Sequence, residues 1–214
     1  MAKKPLVPTR ARLVQAAAEL MWLKSYAAAG VDEICQMAGA QKGSLYHFFP
    51  TKADLGVAAI EHRWDILRQQ VFDPIDQIGE AGLDRLLRLV GRLDELQRQA
   101  GPDDRLLIGS PIGALGQEMA HQDERIRAAV NRVFEEQCRY LQRWLDEAAA
   151  GRQIAAGSSR TRARQVLALL EGALLLGKVA ADPDVFAQAC AALPAVAGPA
   201  SAPRPLAGTP PELL

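Results

Sequence analysis

Apolar residues recur along almost the whole chain at intervals of three and four, the spacing that lines one face of an α-helix. No run of β-branched residues interrupts them, and Ala, Leu, Arg, Gln and Glu dominate the 214 residues. A chain so patterned folds as helices on helices, and the fold class read from it is all-α. A first helix starts near Thr9, behind Pro8, and buries Leu13, Ala17, Leu20 and Met21. A second runs from about Val31 to Met37 and a third from Lys42 to Phe48, ahead of Pro50. Thr51 with Asp54 three residues on is an N-cap signal. It opens a long helix whose stripe Ile60, Trp64, Leu67, Val71 is expected to stop at Asp73-Pro74.

Further along, Leu83, Leu86, Leu87, Val90, Leu93 and Leu96 mark another helix, ended by Gly101-Pro102. Two long helices follow, at about Asp123–Ala150 and Ser159–Ala181. The second is apolar on nearly every side between Val166 and Val179, so it must be covered all round. Its own chain covers one side, and a partner chain is expected on the other. Asp182-Pro183 ends it, and a short Ala-rich helix reaches about Ala192. From Pro194 the chain is rich in Pro and Ala and reads as a flexible tail, 194–214.

Lys and Arg total 25 and Asp and Glu total 25, so the net charge is zero. Taken whole, that argues against simple coating of nucleic acid or an anionic membrane. The balance is uneven, however: residues 1–60 carry seven bases against four acids, and the remainder carries the compensating acid surplus. The segment up to Arg12 holds Lys3, Lys4, Arg10 and Arg12 and no acid. Three cysteines, Cys35, Cys138 and Cys190, lie far apart without a CxxC pair, as in a reducing compartment. The basic start is not followed by an uninterrupted apolar stretch, and Glu171 and Lys178 break the most apolar segment below the length of a membrane span. The expectation is a cytoplasmic protein that does not engage a membrane.

Residues 31–49, Val-Asp-Glu-Ile-Cys-Gln-Met-Ala-Gly-Ala-Gln-Lys-Gly-Ser-Leu-Tyr-His-Phe-Phe, carry the most specific pattern. Two short helices flank Ala38-Gly39-Ala40, with Gly39 free to take the positive φ of a sharp turn. Ile34, Ala38, Ala40, Leu45 and Phe48 are the expected inward positions, and Cys35 is the small residue that a steep crossing needs. This is helix-turn-helix spacing. The second helix then breaks helix rules: Lys42 sits in the first turn, where the macrodipole disfavours a cation. Gly43 beside it costs roughly 1 kcal/mol relative to Ala. Both oddities are resolved by an approaching polyanion, which attracts Lys42 and comes close at Gly43. Ser44, Tyr46 and His47 add donors, and Lys52 opens the next helix. An ordinary surface turn is the bland alternative, and it leaves the coincidence of turn and apolar positions unexplained.

Residues 9–60, with TRARLVQAAAELMWLKSY and then VDEICQMAGAQKGSLYHFFPTKADL, resemble the DNA-binding domain of TetR-type transcriptional regulators. The resemblance implies a domain at 1–52 with its helix-turn-helix at about 30–49. A helical ligand-binding and dimerisation domain at 53–193 follows. It places Lys42, Gly43, Ser44, Tyr46, His47 and Lys52 at or near a double-stranded operator. It implies a homodimer, most simply a repressor released from palindromic DNA by a small molecule. An activator or partner-controlled regulator stays open. Ser25 stands where a Gly often precedes the aromatic residue, and Ala29-Gly30 stand where Thr or Ser usually caps the second helix.

In the larger domain, Ile108–Met119 holds three Gly and one Pro, costly in a helix unless something approaches closely. It is similar to a Gly-Cys-x-x-Gly-x-x-x-x-Glu stretch that lines the pocket in one branch of the family, with Ser110 in place of the Cys. That substitution removes a thiol sensor at this position. Candidate ligand contacts are Ser110, Gly113, Gln117, Phe134 and Leu170. Gly172 and Gly177 allow close helix approach at a dimer interface. Enzyme readings, including a helical-bundle enzyme, fare poorly. Pro111 stands where a GxSxG nucleophile would be, and Glu118 with His121 is a lone E-x-x-H pair that reads as a solvated helix end. With three His in the chain and none at metal spacing, no metal or other cofactor is expected.

Overall fold

A computed structural model describes residues 7–100 and 109–200, with only the backbone described at Ala100. Among the described residues every regular element is helical. The N-terminal unit packs α1 (Thr9–Leu23), α2 (Val31–Ala38) and α3 (Lys42–Phe48) against the start of α4 (Lys52–Leu67). Its core is the expected one: Leu13, Ala17, Leu20, Met21, Ile34, Cys35, Ala38 and Leu45 are all buried. One register differs. Phe48 is exposed and the next residue, Phe49, is buried, because α3 ends at Phe48 and Phe49 turns inward in extended backbone.

α4 begins with a complete capping box: the Thr51 side chain accepts from the Asp54 backbone N–H, and the Asp54 carboxylate accepts from the Thr51 N–H. The helix does not stop at Asp73-Pro74. A π-helical turn, Arg68–Phe72, absorbs the register change, and α5 (Asp73–Gln77) continues with Pro74 in its first turn. There the proline's fixed φ is compatible with helix. The irregularity sits under an aromatic cluster of Trp64, Phe72, Tyr140 and Trp144, whose ring centroids lie 5.2–6.4 Å apart. The polar edges are satisfied: Trp64 Nε1 donates to Glu136 at 2.6 Å and Trp144 Nε1 to Asp76 at 2.8 Å.

The body is completed by α6 (Gly82–Ala100), α7 (Pro111–Met119), α8 (Glu124–Ala150), α9 (Ser159–Ala180), α10 (Pro183–Cys190) and α11 (Leu193–Ala197). α8 and α9 pack against each other, while α10 and α11 close over α9. The expected tail is thus shorter than its composition suggested. Leu193 and Ala197 are buried, and the Ala155 N–H donates to the Pro199 carbonyl at 2.8 Å. Pro194 is tolerated because it occupies the first turn of a short helix. The rest of the expected tail, 201–214, lies outside the described residues, as do Lys3 and Lys4.

α9 keeps an uncovered apolar face. Leu175, Leu176 and Val179 are exposed, Val179 to 78%, and they continue the row begun by Ala168 and Gly172. Gly177 lies on the buried side. Among the described residues no helix is long and apolar enough to cross a membrane.

Candidate nucleic-acid interface and ligand cavity

Gly39 ends α2 in the left-handed region at φ 57°, and its N–H and that of Ala40 return to the last carbonyls of the helix. That single glycine sets the angle between α2 and α3. Arg12 fixes the turn from outside, its Nε donating to the Ala38 carbonyl and its Nη1 to the Val7 carbonyl, both at 2.8 Å. α3 is thereby held with one buried residue, Leu45, and the other faces toward water.

Lys42, Gly43, Tyr46 and His47 are exposed on α3, and Ser44 is half-buried. A side chain at position 43 would meet nothing within 4 Å, so nothing inside the chain calls for glycine there. Lys42 pairs with Asp32 of α2 at 2.9 Å, and that hydrogen bond raises its pKa. Both partners are exposed, so the pair is easily exchanged for another anion. Lys52 behaves differently. Its ammonium donates to the Tyr26 carbonyl at 2.5 Å and lies 4.5 Å from the centre of the Tyr26 ring. Burial lowers its pKa. It braces the α1–α2 loop instead of standing out from the surface.

The same loop is gripped from the body. Glu118, in the last turn of α7, accepts from the Tyr26 N–H through one oxygen and from the Ala27 N–H through the other, each at 2.8 Å. The residue read as a solvated helix end is therefore a latch between head and body. No local pattern announces it, since its partners lie more than 90 residues away. A second tie runs from Arg125 of α8 to Asp54 of the capping box at 2.9 Å.

α7 connects this latch to a cavity. Ser110 caps α7 by accepting from the Gly113 N–H at 3.0 Å, and its hydroxyl donates to Glu171 of α9 at 3.1 Å. At Gly113 the Glu171 carboxylate comes so close that a Cβ would displace it. The cavity, about 180 Å³, lies between α1, α4 with its π-helical turn, α6, α7, α8 and α9. Its walls are mostly apolar, leucine the commonest residue, with Gln70, Gln97 and Gln137 as neutral polar groups and Glu171 and Arg63 as the ionisable ones. Burial pushes the Glu171 carboxyl up to about 7, against the opposing effect of the Ser110 hydrogen bond.

Of the expected ligand contacts, Ser110 and Leu170 line this cavity. Gly113 and Gln117 line an adjoining open cleft of about 670 Å³, which shares Ser110 and Glu171 with it. Phe134 lines neither and packs against the core, and α8 reaches the cavity one turn further on, through Gln137. Arg63 and Trp22, which the sequence pattern did not single out, do line it. A larger open groove between α5 and α6 is rimmed by charges that pair with each other, Arg88 with Glu80 and Arg92 with Glu95 at 2.8 Å. Among the described residues Asp84, also in its lining, has no ion-pair partner and accepts only from the Gln153 amide, at 3.3 Å.

Burial raises the pKa of all three thiols, Cys190 to about 11, which keeps them protonated and weakly nucleophilic. Among the described residues no group of three or more His, Cys, Asp or Glu is arranged to hold a metal ion.

Comparison with known proteins gives two family matches. Residues 13–59 match the family described as bacterial regulatory proteins, tetR family. Residues 93–192 match the C-terminal domain of LmrA/YxaF-like transcriptional regulators. The transcriptional regulator AcuR of Cereibacter sphaeroides is 34% identical over 176 residues, covering 80% of this chain and 77% of that protein. The HTH-type transcriptional regulator LmrA of Bacillus subtilis is 29% identical over 177 residues, covering 80% and 87%. The crystal structure of regulatory protein TetR from Rhodobacter sphaeroides superposes with a TM-score of 0.78 at 30% identity, over 88% of this chain and 98% of that one.

Proposed function

Since the chain belongs to the TetR family of bacterial regulatory proteins, and is thus a transcriptional regulator with a DNA-binding domain and not an enzyme, we propose that it acts as a homodimeric repressor released from a palindromic operator by a small ligand. The observation that carries the DNA-contact assignment is α3: Lys42, Gly43, Tyr46 and His47 face water on a rigidly held helix. Ser44 completes that face, while Lys52 acts on the operator through the Tyr26 loop. The uncovered row Leu175, Leu176, Val179 on α9 supports a second copy as its partner. Two copies would present two α3 helices to half-sites about one helical turn apart.

Ligand release is supported by the short path from cavity to head. A molecule in the cavity touches Ser110 at one end of α7, and Glu118 at the other end holds the α1–α2 loop. A ligand that favours a shifted α7 would favour a different head spacing, and its differential affinity sets how far the population moves. Soluble placement in the cytoplasm accords with this role.

Fluorescence anisotropy with DNA from upstream of the protein's own gene tests the reading. Saturable binding at low salt, weakened about tenfold or more by Lys42→Ala combined with Tyr46→Ala, is the expected result. Absence of binding at low salt, or affinity indifferent to the double variant, would refute it.

A further inference from the structure

Resting on the ligand-release reading, we propose that the cavity between α1, α4 and α9 takes a small organic monocarboxylate with an apolar body, its carboxylate held by the Arg63 guanidinium. Arg63 is half-buried, and among the described residues no carboxylate lies within ion-pairing distance of it. Its guanidinium rests on the Trp22 ring at 4.3 Å and makes one hydrogen bond, from Nη2 to the Ala18 carbonyl at 3.4 Å. Its Nε, like Trp22 Nε1, is buried without a hydrogen-bond partner. Two orphan donors and a cation whose only acidic neighbour among the described residues, Glu19, acts from beyond ion-pairing distance are costly in the empty protein, beside a space lined by leucines and by Gln70, Gln97 and Gln137. An anion relieves them, and a carboxylate matches the fork of a guanidinium best.

The size of the cavity narrows the class. About 180 Å³ compares with the engineered apolar cavities of roughly 150 Å³ that accept benzene. A carboxylate on a benzene-sized or short aliphatic body fits, while a large aromatic drug does not. Leu93, Leu96, Leu167, Leu170 and Leu174 supply the apolar wall. Glu171, the second ionisable group, is held close to Ser110 and can serve a carboxylate only as a protonated donor.

The position of Arg63 also explains how such a ligand would be felt. Both groups that now engage the guanidinium, the Trp22 ring and the Ala18 carbonyl, belong to α1, the first helix of the DNA-binding head. A carboxylate that draws the guanidinium to itself weakens the contact of α4 with α1. The ligand thus acts on the head directly as well as through α7.

The test measures binding of benzoate and hexanoate to the full-length protein by calorimetry, each against its neutral amide, and release of operator DNA in parallel. The acids should bind about tenfold or more tightly than the amides. Arg63→Gln should erase that preference, and Arg63→Lys should restore part of it. Equal binding of acid and amide, preference for the amide or for an amine, or no binding of either acid would overturn the proposal. Binding of the acids without release of DNA would leave the carboxylate site standing and refute ligand release instead. Circular dichroism of the two Arg63 variants separates a lost site from a lost fold.

Discussion

Glu171 shows how one residue can carry both a cost and a function. Its carboxyl ordinarily titrates near 4.5 and is raised to about 7 by burial. The folded state therefore holds a proton that the unfolded state releases. The stabilising contribution of the protonated form is complete below about 4.5, declines as pH rises toward about 7, and stays lost above that. The full effect is on the order of 3 kcal/mol. Glu171→Gln keeps a partner for Ser110 and has no proton to lose. Urea melts of the variant should be flatter between about pH 5 and pH 8 than those of the parent, and the variant should be the more stable at the upper end. Parallel curves would show that Glu171 ionises freely in the folded protein.

At the scale of elements, α7 is the piece whose function is least visible locally. Its glycines read as costly, and the structure supplies close approaches at two of them, the Glu171 carboxylate against Gly113 and the Val130 side chain against Gly116. Its last turn carries the Glu118 latch. Hydrogen bonds from backbone N–H groups to a carboxylate contribute roughly 1.5–3 kcal/mol each. Replacing Glu118 with Ala should therefore free the Tyr26 and Ala27 amides, and hydrogen exchange there should accelerate about tenfold or more while the α8 and α9 amides keep their protection. Unchanged exchange at those two amides would mean that the latch does not hold the loop. The helices themselves were legible because capping boxes, apolar spacing and the Gly39 turn are encoded within a few residues. The elements misjudged are those where distant packing decided. Pro74 was absorbed by a π-turn under an aromatic cluster, and Pro194 by a helix seated on α9. Likewise the broken rules of α3 pointed to a face that the structure leaves exposed. Arg63, Trp22 and Glu118 could not, since a cavity and a latch exist only once α1, α4, α7 and α9 have met.

For the whole molecule, the zero net charge conceals a basic head on an acidic body, yet the described bases of that head are already engaged. Arg12 holds the turn, Lys24 pairs with Glu33 at 2.6 Å, Lys52 braces Tyr26, and Arg10 lies over the Phe49 ring. Lys42 alone combines an exposed position on α3 with an exposed, exchangeable partner. The proposed Lys42 contact with DNA would be an exchange of Asp32 for phosphate. Each phosphate neutralised steepens the dependence of log affinity on log salt by about 0.9. In a dimer, Lys42→Ala removes two such contacts, so the slope should become shallower by about 2. Asp32→Asn removes the competing acid and should raise operator affinity at low salt, most clearly where Lys42 is intact. Titrations of the parent, both single variants and the double variant across a salt series decide between local exchange and general attraction. If the Lys42→Ala slope matches that of the parent, Lys3 and Lys4 carry the electrostatics. The same titrations on a protein with both of those neutralised should then show the missing change.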